Sequence, residues 1–322
     1  MINLTLAICM YNAEQYIEET LQSIMAQTMQ DFHLLIVDDC STDQSVTIVK
    51  KFFVDHPREY ELQSFKENHG ICYTRNFALN YSKTIYLLFI DADDIINKNM
   101  VEEEYTTISS DKDLMGVSCW SEYIDERGKK IYGGTFLGSV TKHDFIQKAK
   151  LAKLIFLPIH TMFNRELAIK SRGFNNIGFP VGKPRLQDYC EELDLWTRMS
   201  DYFRNGKAFI TIPKILYQYR KRNGLSSNHF YMILKMRYTK ANLLLRRKGL
   251  KELSFIEFYS KISKKELKKL RIDAFAADNL RNAIFYFKQR KISSGIICLI
   301  HSIGLRPLYI IDKIRHNLLR SK

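Results

Sequence analysis

The first hundred residues alternate short unbroken apolar runs with stretches whose apolar positions recur at helical spacing. Leu4–Cys9 reads as a buried strand. Ile17, Leu21, Ile24 and Met25 then fall on one helical face, with Asn12 placed as an N-cap and Gln15 three residues on, as in a capping box. Phe32–Val37 is the next strand. Ser41 and Gln44 repeat the capping pattern before a helix that opens with Val46, Ile48 and Val49. Glu61–Phe65 is a weaker strand, Ile71–Tyr81 a helix, and Tyr86–Ile90 the most apolar strand of all. Strand and helix in strict alternation predict an α/β fold with a mostly parallel sheet covered on both faces, because only such burial calls for near-continuous apolar strands. From Glu104 to about Arg220 the pattern is mixed, with short strands, loops and the helix-like "EELDLWTRM"; beyond Ser227 it is helical and basic.

That arrangement locates the chemistry. Ligands of open α/β sheets bind beyond the carboxyl ends of the strands. "VDDCSTD" follows the second strand and "DADD" the fourth, so both acidic groups fall on the ligand edge. Asp91, Asp93 and Asp94 end a fully apolar strand. Carboxylates at such a strand end can converge on a hard cation, and Mg²⁺ or Mn²⁺ commonly bridges a few carboxylates to substrate phosphates. The competing expectation is a solvated turn with Asp94 as a helix N-cap. Asp38 and Asp39 read equally well as caps or as acceptors for a nucleotide base N–H.

Composition narrows the class. The 322 residues are 46% hydrophobic, enough for a large domain or a domain plus an extension, and too much for a disordered chain. Six cysteines with no C-x-x-C pair argue against a zinc site or a disulfide framework and suit a reducing cytosol. "MINLTLAICMYN" lacks the basic start and cleavage site of a signal peptide. The longest apolar candidate, Gly295–Ile311, is interrupted by His301, Arg306 and Pro307, short of a membrane span. The net charge of +14 hides an asymmetry: residues 1–200 carry 21 basic and 28 acidic residues, residues 201–322 carry 28 and 7. Two such halves are expected to meet different partners.

Four ordered segments, "AICMYNAEQYIEETLQSIMAQT" with "DFHLLIVDDCSTDQS", "ENHGICYTRNFALNYS", "YLLFIDADD" and "CEELDLW", resemble the GT-A fold glycosyltransferases of the large inverting family that includes cellulose and chitin synthases. The likeness covers roughly residues 1–225 and is nearest to bacterial members that build capsule, lipopolysaccharide and other surface glycans. It implies a Rossmann-like nucleotide-diphospho-sugar transferase domain over 1–225, followed by a basic helical extension over 226–322.

The resemblance also implies roles. Tyr11 would stack on uracil, Asp39 would accept its N3–H, and Arg75 would support the nucleotide side. Asp91 and Asp93 form the D-x-D that contacts ribose and metal, with Asp94 beside them. Relatives usually carry Glu-Asp before "-x-D-L-W"; here the pair is Glu191 and Glu192. The general base is expected at Glu192, with Glu191 the close rival and Asp188 third. His160 in "PIHTMFNRE" lies where relatives place a polar residue near the acceptor. Arg220 and Arg222, in "YQYRKRNGLSS", match a closing segment whose basic residues approach the diphosphate.

The implied enzyme moves a sugar from a UDP-sugar, with Mn²⁺ or Mg²⁺, to a hydroxyl of a glycan or lipid-linked acceptor, inverting the anomeric centre. A sugar-nucleotide nucleotidyltransferase would normally show a Gly-rich basic loop after the first strand, which "CMYNAEQY" lacks. An inactive scaffold of the same fold is left open by the Glu-Glu pair. Nucleic-acid binding finds no motif to support it. The basic segments "KISKKELKKLR" and "DKIRHNLLRSK" flank apolar residues Ile296, Ile297, Leu299, Ile300, Leu308 and Ile310. They are expected to dock the chain on the anionic inner face of the cytoplasmic membrane; packing within a helical appendage or a homodimer interface is the alternative.

Overall fold

The computed structural model describes residues 2–221, 228–288 and 290–307. Strands β1 (Leu4–Met10), β2 (His33–Asp38), β3 (Glu61–Ser64) and β4 (Tyr86–Asp91) lie parallel in the order β3-β2-β1-β4. Helices α1 (Ile17–Met25), α2 (Ser45–Asp55) and α3 (Ile71–Tyr81) connect them. Every residue of β1 is buried, and its two faces serve two cores. Leu4, Leu6, Ile8 and Met10 join the core of Leu21 and Ile24 from α1 and Val49 and Phe52 from α2. Ala7 and Cys9 join the core of Cys72, Ala78 and Leu79 from α3. Double coverage is the physical reason the strand reads as an unbroken apolar run.

The second half of the sheet is mixed. After β5 (Ile95–Ile96) and α4 (Met100–Ser110) come β6 (Leu114–Ile124), β7 (Lys130–Thr135), α5 (Lys142–Lys150), β8 (Met162–Asn164), α6 (Arg165–Lys170), α7 (Glu191–Met199) and β9 (Ala208–Arg220). The sheet continues β4-β8-β6-β9-β5, with β7 on β6. β8 runs antiparallel to both neighbours, β6 and β9 are parallel, and β5 is antiparallel to β9. The β5–β9 pairing ties the chain just after the "DADD" turn to the end of β9.

The chain divides into two compact units, Met1–Ile177 with Cys190–Arg222 and Thr239–Glu252, and Gly178–Tyr189 with Asn223–Tyr238 and Leu253–Lys322. Residues 178–189 and 239–252 therefore depart from a single cut near 225. In the first unit, Arg246 pairs with Asp201 and Glu252, and Arg172 with Glu252, so part of the carboxyl-terminal basic charge is neutralised there. The second unit takes the residues of α8 (His229–Arg247) up to Tyr238, then α9 (Phe255–Ser260), α10 (Lys264–Lys288) and α11 (Ile292–Leu305). Phe179, Leu234, Tyr238, Phe255 and Leu270 form its core. A capping box of Ser254 and Glu257 opens α9.

Candidate active site

The loops after β1 and β2 are stapled to each other. Ser41 Oγ accepts the Asn12 N–H (2.9 Å) and Asn12 Oδ1 accepts the Thr42 N–H (2.8 Å). Asp43 accepts from Glu14 N–H (3.0 Å), and Glu14 returns the contact to Gln44 N–H (2.9 Å). The expected caps at Asn12 and Ser41 are thus corrected: α1 begins at Ile17 and α2 at Ser45, neither with a side-chain cap. Their polar groups are used between loops instead. Tyr11, on the first of these loops, is 47% exposed and open to a ring partner.

Asp39 lies beside them, buried. Its Oδ1 accepts the His69 N–H (2.8 Å), and its Oδ2 accepts Asn68 Nδ2 and the Gly70 N–H (both 2.8 Å). Three of a carboxylate's roughly four acceptor positions are filled, leaving one. This grip sets the start of α3. Gly70 precedes the helix at φ 91°, a conformation that favours glycine.

One turn into α3, Arg75 is buried and bridges two acids. Its guanidinium donates to Asp91 Oδ1 (2.8 Å) and to Glu191 Oε1. The D-x-D strand end and the acidic pair opening α7 are thereby joined through one side chain. Glu191 is buried by this pairing, while its neighbour Glu192 remains half-buried. Asp194, also in the first turn of α7, is committed to Arg198 (2.9 Å) and Thr239 Oγ1 (3.2 Å). Asp188, the third candidate base, falls in the other unit. Cys9 stands opposite Asp91 in register, and burial pushes its thiol up to about 12, which removes thiolate chemistry.

The "DADD" turn is built differently from a solvated loop. Asp91 and Asp93 are half-buried, whereas Asp94 is buried and leads into β5 rather than a helix. Asp94 Oδ1 accepts the Arg220 N–H (2.7 Å), and its carbonyl accepts Thr20 Oγ1 (2.8 Å). Burial, with Asp93 and Asp91 adding to it, holds the Asp94 carboxyl well above the usual carboxylate range. Expected beside the metal, Asp94 is instead turned into the protein.

Arg220 is engaged by the protein itself. Expected to approach a diphosphate, it is 2% exposed, and all three guanidinium nitrogens donate to protein oxygens. Nε bonds the Asp93 carbonyl (2.7 Å), one terminal nitrogen the Asp125 (3.0 Å) and Glu126 (3.2 Å) carbonyls, and the other Glu19 (2.5 Å). It is a brace for the turn. Arg222 lies outside the described residues.

Two further residues support the turn from within. The Tyr217 hydroxyl accepts the Asp91 N–H (3.4 Å) and lies against the Asp94 carboxyl. His160, expected near the acceptor, is 2% exposed and stacked on Tyr217, ring centroids 3.6 Å apart. Burial lowers its pKa to about 3, so it stays neutral. Sequence reasoning missed Asn68, Glu19 and Tyr217 as parts of this assembly. All three lie within the segments that carry the family resemblance, but nothing in those segments assigns them a role.

Asp91 and Asp93 offer hard oxygen donors suited to Mg²⁺ or Mn²⁺. Arg75 occupies Asp91 Oδ1 and leaves Oδ2. No group of three or more His, Cys, Asp or Glu residues converges among the described residues. An ion bound here would therefore complete its shell from phosphate and water oxygens, a common mode for Mg²⁺. The residues present fit such an ion.

Comparison with known proteins places this architecture. The model of the Glycosyl transferase family 2 domain matches residues 5–172, which include Asp39, Arg75, Asp91 and Asp93. A teichoic acid poly(glycerol phosphate) polymerase of Staphylococcus epidermidis is 43% identical over 94 residues, 29% of this chain and only 13% of that protein. Glycosyltransferase GlyG of Streptococcus pneumoniae is 24% identical over 236 residues, 69% of this chain and 71% of the relative. The crystal structure of S. aureus TarS in complex with UDP-GlcNAc superposes with a TM-score of 0.55 at 20% identity, covering 91% of this chain and 89% of that one. The four parallel strands, the D-x-D at the end of β4 and the family match agree: the chain belongs to glycosyl transferase family 2.

Proposed function

We propose that this chain is an inverting glycosyltransferase that moves a hexosyl or N-acetylhexosaminyl group from a UDP-sugar to a hydroxyl of a glycan or lipid-linked acceptor in bacterial surface-polysaccharide assembly. The observation that carries the reading is the Arg75 bridge, which draws the D-x-D end of β4 and the acidic start of α7 to one guanidinium. This would bring a bound nucleotide and the catalytic base to a common edge. The UDP-GlcNAc complex of TarS supports the donor class.

In this reading Tyr11 offers its exposed ring to the uracil, and the remaining acceptor position of Asp39 takes the base N–H. Asp91 and Asp93 would hold Mn²⁺ or Mg²⁺, which when bound neutralises charge on the diphosphate. Glu192 takes the proton from the acceptor hydroxyl as that oxygen attacks the anomeric carbon. The glycosidic C–O bond to the diphosphate breaks on the opposite face, and UDP leaves with the bond pair. A single displacement inverts the centre. Glu191 is less suited to the proton because its carboxylate is committed to Arg75. Arg220, Asp94, Tyr217 and His160 keep the D-x-D turn in place.

A panel of UDP-sugars with Mn²⁺, scored by UDP release, tests the assignment. One donor should be turned over, and chelator should abolish it. Asp93→Ala should fold normally yet lose most turnover; near-normal release by that variant in chelator would remove the metal from the scheme.

The carboxyl-terminal helices, in our reading, place the enzyme peripherally on the anionic inner face of the cytoplasmic membrane, where a lipid-linked acceptor would reside. No helix among the described residues is long and apolar enough to cross a membrane. The basic excess of residues 201–322 supports attraction to anionic lipid. A homodimer through the same helices is the rival.

A further inference from the structure

Helix α11 is inverted relative to a water-facing helix. Its packed side uses small residues: Gly295 is buried against the Phe287 ring, and Ser302 Oγ donates to the Ala276 carbonyl (2.7 Å). Its free side holds Ile296, Ile297, Ile300 and Ile303, exposed by 46, 55, 60 and 44%. The helix carries no Asp, Glu, Lys or Arg over Ile292–Leu305. A surface helix normally puts its apolar stripe on the core and charge on the outside. Although Ser293 and His301 are also exposed on this helix, an exposed stripe of four isoleucines calls for a second apolar phase.

The same hairpin supplies charge at one end. Lys265, Lys268 and Lys269 of α10, with Arg306 after α11, line a pocket of about 250 Å³ whose apolar walls are Ile272 and Leu305. Arg306 is paired with Asp273, but none of the three lysines has an ion pair among the described residues. The volume admits a phosphodiester with several waters, each taking about 30 Å³ in the liquid. Cations beside an exposed apolar stripe match an anionic lipid surface, where headgroup phosphates border acyl chains.

We infer that the α10–α11 hairpin is the membrane-docking element, with Lys265, Lys268 and Lys269 taking the phosphate of an anionic phospholipid and Ile296, Ile297, Ile300 and Ile303 entering the headgroup–acyl boundary. The inference rests on the membrane placement proposed above and deepens it to particular side chains. Binding draws on two sources. Charge attraction weakens with salt, since the screening length falls to about 8 Å at physiological ionic strength. Apolar burial does not weaken in this way.

Co-sedimentation of the full chain with phosphatidylcholine vesicles, with and without phosphatidylglycerol, tests it. The wild type should bind only the anionic vesicles, and less as salt rises. Lys265→Gln/Lys268→Gln/Lys269→Gln should weaken binding at low salt by more than tenfold, at roughly fivefold per charge. Ile297→Ser/Ile300→Ser should weaken it at every salt concentration, with an unchanged near-UV circular dichroism spectrum showing that the fold survives. If the wild type binds and both variants bind equally well, the hairpin assignment is wrong while the membrane placement stands. If the wild type ignores anionic vesicles, both fall. A concentration-dependent dimer abolished by Ile297→Ser/Ile300→Ser, without vesicle binding, would give the face to a second copy of the chain and overturn the inference.

Discussion

Arg220 and Lys268 are both cations that the charge pattern offers to a phosphate, and the fold gives them opposite surroundings. Arg220 is buried beneath the D-x-D turn, and Glu19 and the carbonyls of Asp93, Asp125 and Glu126 take its donors. Lys268 lines an open pocket with no ion pair among the described residues. Arginine's planar fork suits several fixed oxygens at once, whereas a lysine ammonium stays hydrated on a mobile stem. Arg220 is thus enclosed by protein acceptors, while Lys268 is left to the contact proposed above. Acceptors nearby separate the two, and net charge does not.

The largest effect that would break this comparison comes from Arg220→Met. It keeps much of the volume and removes every donor, stranding the Asp93, Asp125 and Glu126 carbonyls. A cost of about 3 kcal/mol or more is expected, seen as a lower urea midpoint. Lys268→Met should leave the midpoint where it is. An Arg220→Met protein of wild-type stability that no longer released UDP would return Arg220 to the diphosphate.

A smaller effect probes the stack behind the turn. His160 is held neutral by burial, with its folded pKa near 3 against an ordinary value of 6.5. The unfolded chain takes up the proton first as pH falls. The stability from keeping His160 neutral is thus present above pH 6.5 and is lost progressively between about 6.5 and 3. One proton corresponds to roughly 1.4 kcal/mol per pH unit. His160→Phe keeps a ring on Tyr217 but cannot titrate, so its stability should fall less steeply between pH 6 and 4. Parallel stability–pH curves for the two proteins would show that His160 titrates normally.

Strands β1, β2 and β4 of the parallel half are legible in the sequence because they are buried, and that burial writes itself as apolar runs, whereas the edge strand β3 is partly exposed and mostly polar and gives only a weak signal. Ile71–Tyr81 matches α3 for the same reason of periodicity. The mixed half is not legible: β5 has two residues and β8 three, too few for any pattern. Asn12 and Ser41 carry local capping signals, yet their partners lie on the opposite loop, about thirty residues away. Arg220's surroundings are not legible because its acceptors are largely backbone carbonyls, which leave no trace in residue type. Glu191 and Glu192 are chemically identical neighbours; the direct ion pair that marks Glu191 is to Arg75, 116 residues away along the chain.

The proposed division of roles is central: Arg75 holds Glu191 as a structural anion, and Glu192, within electrostatic reach of the same guanidinium, takes the acceptor proton. The direct measurement is the rate of sugar transfer by Glu192→Gln and Glu191→Gln beside the wild type, with donor binding followed in parallel. Glu192→Gln should keep donor affinity and lose about 10²–10⁴-fold in transfer, the usual consequence of removing a general base. Glu191→Gln should retain more transfer and lose stability or donor affinity through its weakened pairing with Arg75. An inactive Glu191→Gln that binds donor normally, next to an active Glu192→Gln, would contradict the account and move the base one residue along the helix.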